Sequence, residues 1–305
     1  MRVIRIPRPA GKRVIALGMF DGVHKGHKAL IRTATEISRE NGIRLRVCTF
    51  DRHPLELLQP DHPPELLSTV PEKAREMCRI GVDEMELIRF NRRMAETEPE
   101  EFLAMLRSNT DIYAVVAGWN YSFGYRGRGD ADMLCRNGKA FGYRVVIVPP
   151  AKMEDGTVIS SSLIRQKLHE GRTDEAAKLL GYSYTLTGNV VNGKHQGRKL
   201  GFPTANIEPW NRKALPKFGV YTCQAETDGK ILPAIVNIGV QPTMPSGKVT
   251  VEAHILKEIP ELYGSKIRLT LLTMLREERK FNTPEELRNQ IQNDRNEAKR
   301  LFDMA

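Results

Sequence analysis

The sequence lacks the features of membrane-spanning, secreted and zinc-binding proteins. No apolar run approaches the ~18 residues of a membrane helix. The basic start, residues 1–13, is not followed by an apolar segment and a cleavage site, so it does not read as a signal peptide. The four cysteines are far apart and form no CxxC pair. We therefore expect reduced thiols, a cytoplasmic location, no zinc site and no membrane partner.

Aromatic residues are few, at 7% of the chain, and no dense basic run interleaves with them. The net charge of +10 permits an anionic partner, but dispersed lysines and arginines do not favour nucleic acid. The 305 residues, 40% of them hydrophobic, suggest about two globular domains with real cores. Nothing in the sequence indicates an oligomeric state.

The first half of the chain alternates between strand and helix patterns. A helix is expected to begin at Thr97 with a capping box to Glu100. Alternation with apolar strands predicts a parallel sheet covered by helices on both faces, with ligands at the carboxyl ends of the strands. The predicted strands lie at 14–18, 45–50, 84–90, 113–117 and 143–148, and the other predicted helices lie at about 27–40 and 71–80.

After residue 180 the pattern changes to short strands punctuated by turn residues such as Asp228-Gly229. This predicts an antiparallel β-barrel. Thr173 is expected to cap a short helix, and Thr283 to start a final helix that runs to about Leu301. The domains are predicted at 1–182 and 183–305. The predicted barrel strands lie at 184–191, 219–225, 232–238, 249–256 and 266–272.

The stretch GMFDGVHKGH, residues 18–27, lies where the first strand gives way to a helix. A helix N-terminus has unpaired N–H groups and attracts phosphate. His24 and His27 lie on one helical face and can donate to the same anion. Gly18 and Gly22 let the backbone bend close to a ligand. The pattern favours a phosphate site over an incidental turn.

Two further segments are candidates for the same site. Asn120 lies in GWNYSFG, which follows the strand at 113–117. The run ISSSLIR, residues 159–165, follows the last strand of this half and opens a helix. The hydroxyls of Ser161 and Ser162 suit phosphate binding or plain capping, and Arg165 suits phosphate binding or a solvated helix face.

The run GNVVNGKH, residues 188–195, is one residue short of a Walker A pattern, and we reject that interpretation. His195 stands where the pattern needs Ser or Thr, and no apolar helix follows. A loop between barrel strands is favoured, in which Gly193 and Lys194 remain candidates for phosphate contact.

The run GRKLGFPTAN, residues 197–206, is the most informative part of the second half. Thr204 and Asn206 alternate onto one side of an extended chain, and their hydroxyl and amide oxygens suit Mg²⁺. A polar turn after Pro203 is the alternative. Glu252 alternates with apolar residues in a strand, so it is either a general base or a solvated strand residue.

HxGH with a distal ISSSxIR resembles the nucleotidyltransferase superfamily. With GFPTAN, GVY at 219–221, NIGVQPT at 237–243 and VEAHI at 251–255, nearly the whole chain resembles bacterial bifunctional riboflavin kinase/FMN adenylyltransferases. The resemblance implies a Rossmann-like nucleotidyltransferase domain followed by a riboflavin kinase barrel with a C-terminal helix. It implies that ATP and Mg²⁺ convert riboflavin to FMN, and that a second ATP adenylylates FMN to FAD with release of pyrophosphate.

The resemblance also implies roles for the candidate residues. His24 and His27 would hold the triphosphate, Ser162 and Arg165 its β- and γ-phosphates, and Asn120 would lie on the flavin side. Thr204 and Asn206 would place Mg²⁺ and phosphate, and Glu252 would activate the ribityl hydroxyl. Further ATP or phosphate contacts are implied for Gly18, Phe20, Gly22, Ser161, Gly193, Lys194 and Gly201.

The chain departs from the family pattern at a few positions. Met19 stands where Asn is common, and Asn120-Tyr-Ser-Phe stands where Asp-Phe-Arg-Phe is frequent. Lys257-Glu258-Ile259-Pro260 stands where the family has an acidic stretch before Leu262-Tyr263-Gly264, and this departure concerns the kinase. Two alternatives therefore stay open: an enzyme with only the adenylyltransferase site active, or a flavin- or RNA-binding regulator without catalysis.

Overall fold

A computed structural model describes residues 1–4, 11–192, 201–240, 249–257 and 264–303. The chain forms two compact units, Met1–Ser161 and Ser162–Ala305. This division lies about 20 residues before the domain boundary expected at 182, because the residues of two short helices join the second unit. The boundary at 182 stays a prediction.

The first unit contains the predicted alternation of strands and helices. The five strands predicted for this half are confirmed to within two residues at each end. The strands are β1 (Arg2–Ile4), β2 (Arg13–Leu17), β3 (Arg44–Phe50), β4 (Glu84–Ile88), β5 (Ile112–Gly118) and β6 (Arg144–Val148). The helices are α1 (Lys25–Glu40), α2 (Leu55–Leu58), α3 (Val70–Arg79), α4 (Arg92–Glu96), α5 (Pro99–Asn109) and α6 (Ala131–Phe141).

The strands form one parallel sheet in the order β1-β4-β3-β2-β5-β6. The order reverses between β2 and β5, which are hydrogen-bonded neighbours. In doubly wound sheets the crevice outside the carboxyl ends of two such strands is where ligands bind. The chain that leaves β2 carries His24, and the chain that leaves β5 carries Asn120.

Each face of the sheet is covered by helices, as predicted. On one face, Val14, Ala16 and Val47 pack with the buried side of α1 and with Met77 of α3. On the other face, Ile15 and Leu17 pack against α5 and α6. The strands are therefore apolar on both faces, which is typical of buried parallel sheets.

The capping box predicted at Thr97 is wrong. The first residue before α5 is Glu98, which makes no side-chain cap, and Pro99 occupies the first turn. Thr97 instead ends α4, where its hydroxyl donates to the carbonyl of Arg93 at 2.8 Å. A threonine three residues before a glutamate fits both arrangements in sequence, and the short α4 decides between them.

A buried ion-pair cluster interrupts the apolar face under α5. Arg46 is 1% exposed and donates to Glu84 at 2.8 Å and to Glu86 at 3.3 Å. Arg46 also donates to the Thr110 hydroxyl, and Arg13 donates to Glu84 from the neighbouring strand. Burial by itself would raise the pKa of Glu84, but hydrogen bonds from the two arginines lower it. Burial raises the pKa of Glu86.

The second unit begins with two helices and continues as a barrel. Its helices are α7 (Ser161–His169), α8 (Thr173–Leu180) and α9 (Pro284–Asp303), of which α7 begins at the last residue of the first unit. Its strands are β7 (Thr185–Val191), β8 (Ala205–Pro209), β9 (Gly219–Thr227), β10 (Lys230–Val240), β11 (Val249–Ile255) and β12 (Lys266–Glu277).

The strands of the second unit close into a barrel in the order β10-β11-β8-β7-β12-β9. All neighbouring pairs are antiparallel, as predicted. The hairpin between β9 and β10 turns at Asp228-Gly229, where both residues have positive φ, as a two-residue hairpin turn requires. The strand β8 was expected only as extended chain.

The helices of the second unit follow the predictions except at one cap. Thr283 accepts from the backbone N–H of Glu286, so the start of α9 is confirmed. Thr173 does not cap α8; its hydroxyl donates to the carbonyl of Leu272 on β12. A tertiary contact thus takes the hydroxyl that the local pattern assigned to a cap. Ala298 of α9 packs on Val220 and Ile235 of the barrel.

No helix in the described ranges has both the length and the apolar character to cross a bilayer. The four cysteines form no disulfide, and Cys48 and Cys223 are buried.

Replacing Arg46 by methionine should lower the free energy of unfolding of the first unit by about 3 to 5 kcal/mol, because two buried carboxylates lose their shared cation. Urea unfolding with hydrogen exchange in β3 measures the effect. Arg44→Met is the matched control, since Arg44 is exposed on the same strand. Equal stability of both variants would contradict the assigned role of the cluster.

Candidate active site

A strained turn joins β2 to α1 and presents both histidines. Phe20, Gly22 and Val23 all have positive φ, at 52°, 78° and 40°. Such a φ is unusual for any residue with a side chain and costs most at a β-branched one such as Val23, which is also fully buried. The turn therefore persists only because the surrounding contacts hold it.

The carboxylate of Asp21 is one of these contacts. It is 6% exposed and accepts from the backbone N–H groups of Leu67 at 2.9 Å and Ser68 at 3.1 Å. The Ser68 hydroxyl in turn accepts from the N–H of Gly22 at 2.9 Å. The segment before α3 thus clamps the middle of the turn. The sequence did not single out Asp21 or Ser68, since neither belongs to the HxGH pattern.

The two imidazoles lie against each other at the start of α1. Their ring centroids are 3.6 Å apart and the planes differ by 20°. His24 is the N-cap residue, and its Nδ1 accepts from the backbone N–H of His27 at 3.3 Å. In the neutral ring, Nε2 then carries the proton and is the donor. The prediction that both rings share one face is confirmed.

Both histidines are held neutral. Burial lowers the pKa of His24 to about 4. Burial, followed by the nearby charges of His24 and Lys73, lowers the pKa of His27 well below 6.5. Near pH 7 the pair therefore offers N–H donors and not cations. The positive potential comes from the N-terminus of α1 and from the buried Lys73.

Glycines are required where the loop passes the rings. A Cβ on Gly26 would lie 3.1 Å from the His24 ring, and a Cβ on Gly18 would lie 3.0 Å from the Phe20 ring. The Phe20 ring packs at 5.2 Å from the His27 ring. Phe20 and Gly18 thus support the histidines by packing, while a direct contact of these residues with ATP stays a prediction.

One residue of the serine run, Ser161, contacts the same turn. The Ser161 hydroxyl donates to the carbonyl of Asp21 at 3.0 Å, so the last residue of the first unit contacts the turn. Ser162 and Arg165 are the next candidates along α7 and belong to the second unit. Asn120 is exposed just after β5. Phosphate or flavin contacts of these residues stay predictions.

In the barrel, register brings three polar residues into one row. Asn206 of β8 pairs with Glu252 of β11, and Glu252 pairs with Asn237 of β10. Residues directly opposite in a sheet face the same side, with Cβ atoms about 5 Å apart. Sequence reasoning quoted Asn237 only as part of a motif. Its pairing with Glu252 is a register property that the sequence does not show.

This polar row lies on the outer face of the barrel. The flanking residues Val251, Ala253 and Ile207 point into the barrel and are at most 4% exposed. The row itself is partly exposed. The predicted alternation of Glu252 with apolar residues is therefore confirmed, while its use as a base stays a prediction.

A buried histidine holds the segment that carries Thr204. The Nδ1 atom of His254 lies 2.8 Å from the carbonyl oxygen of Pro203, the residue before Thr204. The His254 ring also packs edge-on against Phe202 at 5.7 Å. Burial lowers the pKa of His254. Thr204 thus lies one residue before β8 and two residues from Asn206, in a segment fixed to β11.

The remaining barrel candidates are of two kinds. Gly201 is exposed with φ of 85°, and a Cβ there would meet nothing within 4 Å. Gly193 and Lys194 lie outside the described residues. The described residues contain no group of three or more His, Cys, Asp or Glu able to share a metal ion. A metal at this row would depend on amide and hydroxyl oxygens, the donors that Thr204 and Asn206 supply.

Comparisons with known proteins relate each half of the chain to a family. Residues 7–163 match the FAD synthetase family, and residues 180–302 match the riboflavin kinase family. The bifunctional riboflavin kinase/FMN adenylyltransferase of Bacillus subtilis is 34% identical, over 99% of this chain and 98% of the relative. The chain belongs to the bifunctional riboflavin kinase/FMN adenylyltransferase family. The resemblance drawn from the motifs is thereby confirmed.

Other relatives of this family extend the comparison. The Escherichia coli K12 protein of the same name is 34% identical over 96% of this chain and 93% of its own length. The crystal structure of a macrolide-efflux protein from Streptococcus pneumoniae is similar with a TM-score of 0.89. It is 31% identical, and the match covers 98% of this chain and 99% of that one.

The lowered pKa of His24 makes the first unit of this family member less stable in acid. The unfolded chain takes up a proton below pH 6.5 and the folded chain only near pH 4, so stability is lost as the pH falls between these values. His24→Asn keeps an N-cap acceptor without the titration. From pH 7.5 to 5, the variant should lose about 2 kcal/mol less than the wild type.

Urea unfolding with hydrogen exchange in β2 and β5 measures this difference. At pH 7.5 the two proteins should differ little, because His24 is neutral in both states. An equal acid-induced loss in variant and wild type would show that His24 is not the titrating group.

Proposed function

We propose that the protein is a bifunctional enzyme that phosphorylates riboflavin with ATP to FMN and then adenylylates FMN with a second ATP to FAD. The carrying observation is that each half of the chain matches one of the two enzyme families. The stacking of His24 on His27 and the pairing of Asn206 with Glu252 support the residue assignments. The cytoplasm stays the predicted compartment.

In the adenylyl transfer, the stacked imidazoles are positioned as neutral donors at a helix N-terminus. We assign to His24 and His27 the binding of the triphosphate and of the charge that develops when the FMN phosphate attacks the α-phosphorus. Preorganised donors of this kind stabilise a transition state without rearranging when charge develops. Pyrophosphate leaves, and no covalent intermediate on the protein is needed.

Three more residues are assigned to this site by sequence motif. Ser162 and Arg165 would bind the β- and γ-phosphates, and Asn120 would contact the flavin. Their support is the ISSSLIR run at the start of α7 and the position of Asn120 after β5, at the reversal of strand order.

In the kinase reaction, the outer row of the barrel supplies the chemistry. Glu252 takes the proton of the ribityl 5′-hydroxyl as that oxygen attacks the γ-phosphorus of ATP. Asn237 is the neighbour of Glu252 in register on β10 and is placed to orient its carboxylate or the hydroxyl. ADP and FMN are the products.

Thr204 and Asn206, next to and within this row, fit a hard divalent cation such as Mg²⁺. Thr204 offers a hydroxyl and Asn206 an amide oxygen, and the contact between His254 and Pro203 fixes their segment. When bound, Mg²⁺ would neutralise phosphate charge between ATP and the acceptor-rich row. Gly201, Gly193 and Lys194 remain assigned to phosphate contact by sequence motif.

Purified protein incubated with riboflavin, ATP and Mg²⁺ should form FMN and then FAD, resolved by chromatography. FAD from supplied FMN without FMN from riboflavin would leave only the adenylyltransferase. Absence of both products and of pyrophosphate release would overturn the proposal.

His27→Ala should reduce FAD formation by about 100-fold or more, because one preorganised donor to the developing charge is lost. FMN should accumulate, since riboflavin phosphorylation uses the barrel. The matched control is His62→Ala, which removes an exposed histidine from the same unit. Equal loss of FMN and FAD in His27→Ala would argue against separate sites.

Glu252→Gln should lower FMN formation by about 100- to 10,000-fold, because the amide cannot accept the hydroxyl proton. FAD formation from supplied FMN should persist in the same protein. Glu297→Gln, on the exposed side of α9, is the control. Normal phosphorylation by Glu252→Gln would remove Glu252 from the mechanism.

A further inference from the structure

We propose that Lys73 is a positioning residue of the adenylyl-transfer site, whose ammonium group fixes the turn that presents His24 and His27. This inference deepens the proposed function and rests on it. Lys73 lies in α3, outside every motif that the sequence suggested. Its ammonium group contacts the turn at the Met19 carbonyl.

Lys73 is buried to an extent that is rare for lysine. It is 6% exposed, and its Nζ donates to the carbonyl oxygen of Met19 at 2.7 Å and to the Thr49 hydroxyl at 3.4 Å. The Thr49 hydroxyl donates to the same Met19 carbonyl at 3.0 Å. A buried ammonium group is costly unless it is hydrogen-bonded and compensated, so its retention here needs a structural or functional reason.

The bonded carbonyl lies at the entrance of the strained turn. Met19 directly precedes Phe20, the first residue with positive φ. The Phe20 ring packs on the His27 ring, and the Gly18 backbone lies close under the Phe20 ring. A shift of the Met19 carbonyl would therefore move Phe20 and, through it, His27. The segment 67–73 therefore holds the turn at two points: Lys73 at the Met19 carbonyl, and Leu67 and Ser68 at the Asp21 carboxylate.

Lys73 also acts on the site through its charge. Burial lowers the pKa of Lys73 to about 8. The negative charge of Asp21 acts in the opposite direction and raises the pKa of the ammonium group. Three effects lower the pKa of His27: burial of its ring, the neighbouring His24 at the start of α1, and the charge of Lys73 on α3. Lys73 thus helps to keep His27 a neutral donor while it adds positive potential behind the phosphate site.

A merely structural lysine and a positioning lysine have different signatures. A structural role would reduce the amount of folded protein and leave the kinetic constants and the His27 titration of the folded fraction unchanged. A positioning role would lower kcat more than it raises the KM for ATP and would move the acid limb of the pH profile. Removal of the cation raises the pKa of His27, so the acid limb should move to higher pH.

The test compares Lys73→Met with the wild type, with Lys73→Arg as the conservative variant and Lys139→Met as the control. Lys139 is exposed on α6 of the same unit. FAD formation from FMN is measured between pH 5 and 8. Hydrogen exchange in β2 and β5 reports on the folded fraction of the first unit, and riboflavin phosphorylation by the same samples reports on the barrel. NMR of the His27 ring without substrates gives its titration.

Lys73→Met should lower kcat for adenylyl transfer by about 100-fold, the scale expected for a misplaced catalytic group. Riboflavin phosphorylation should stay at the wild-type level, and His27 should titrate at higher pH. Lys73→Arg should restore the His27 titration and part of kcat, and Lys139→Met should resemble the wild type. Wild-type kcat and an unshifted His27 titration in Lys73→Met would overturn the inference.

A second variant covers the case in which Lys73→Met does not fold. Thr49→Val removes the other donor to the Met19 carbonyl and leaves the ammonium charge. It should lower kcat for adenylyl transfer by a smaller factor without moving the His27 titration, and an unchanged kcat would count against the anchoring of Met19. If the wild type forms no FAD, the proposed function fails, while the His27 titration still tests the link between Lys73 and His27.

Discussion

The buried carboxylate of Asp21 is the constraint on which the proposed adenylyl-transfer site depends. Two backbone N–H groups of the Leu67-Ser68 segment and the Ser68 hydroxyl surround it, so its charge is satisfied without leaving the interior. These bonds stabilise a turn in which even a buried valine takes positive φ. Strain of this kind costs on the order of 1 to 3 kcal/mol for each residue and needs an over-determined surrounding. The result is a helix that starts with two stacked rings directly beyond the carboxyl end of β2.

The kinase row depends on a different constraint, the register of a closed barrel. Because side chains alternate between the two faces of a strand, a slip by one residue between β8 and β11 would turn Glu252 inward and Val251 outward. The apolar interior forbids that slip, so packing in the core fixes the polar row on the surface. The contact of His254 with the Pro203 carbonyl then extends the same register to the segment before β8. The register of the barrel thus fixes the positions of Asn206, Glu252 and Asn237.

The architecture was predictable because it depends on periodicity. Apolar strands that alternate with helices gave the parallel sheet, and short strands between turn residues gave the barrel. The failures concern hydroxyls whose hydrogen-bond partners the local pattern does not show. Thr97 and Thr173 carry hydroxyls that suit a cap, but neighbouring elements use them otherwise. Lys73 lies in a predicted helix to which the sequence assigned no functional residue, and only the fold brings its ammonium group to the Met19 carbonyl. Likewise, the motifs made Glu252 a candidate base, whereas Asn237 becomes a candidate only through its pairing with Glu252.

The two sites would meet the same nucleotide with opposite polarity. The first offers N–H donors, a helix N-terminus and a buried ammonium group, all of which attract phosphate directly. The second offers a carboxylate and amide and hydroxyl oxygens, which are predominantly acceptors and would repel a polyphosphate at close range. The Mg²⁺ proposed to bind Thr204 and Asn206 would offset that repulsion. At the histidine pair, neutral imidazoles would present N–H donors to the negative charge. One chain can thus use ATP in two reactions because each fold solves the electrostatics of phosphate in its own way.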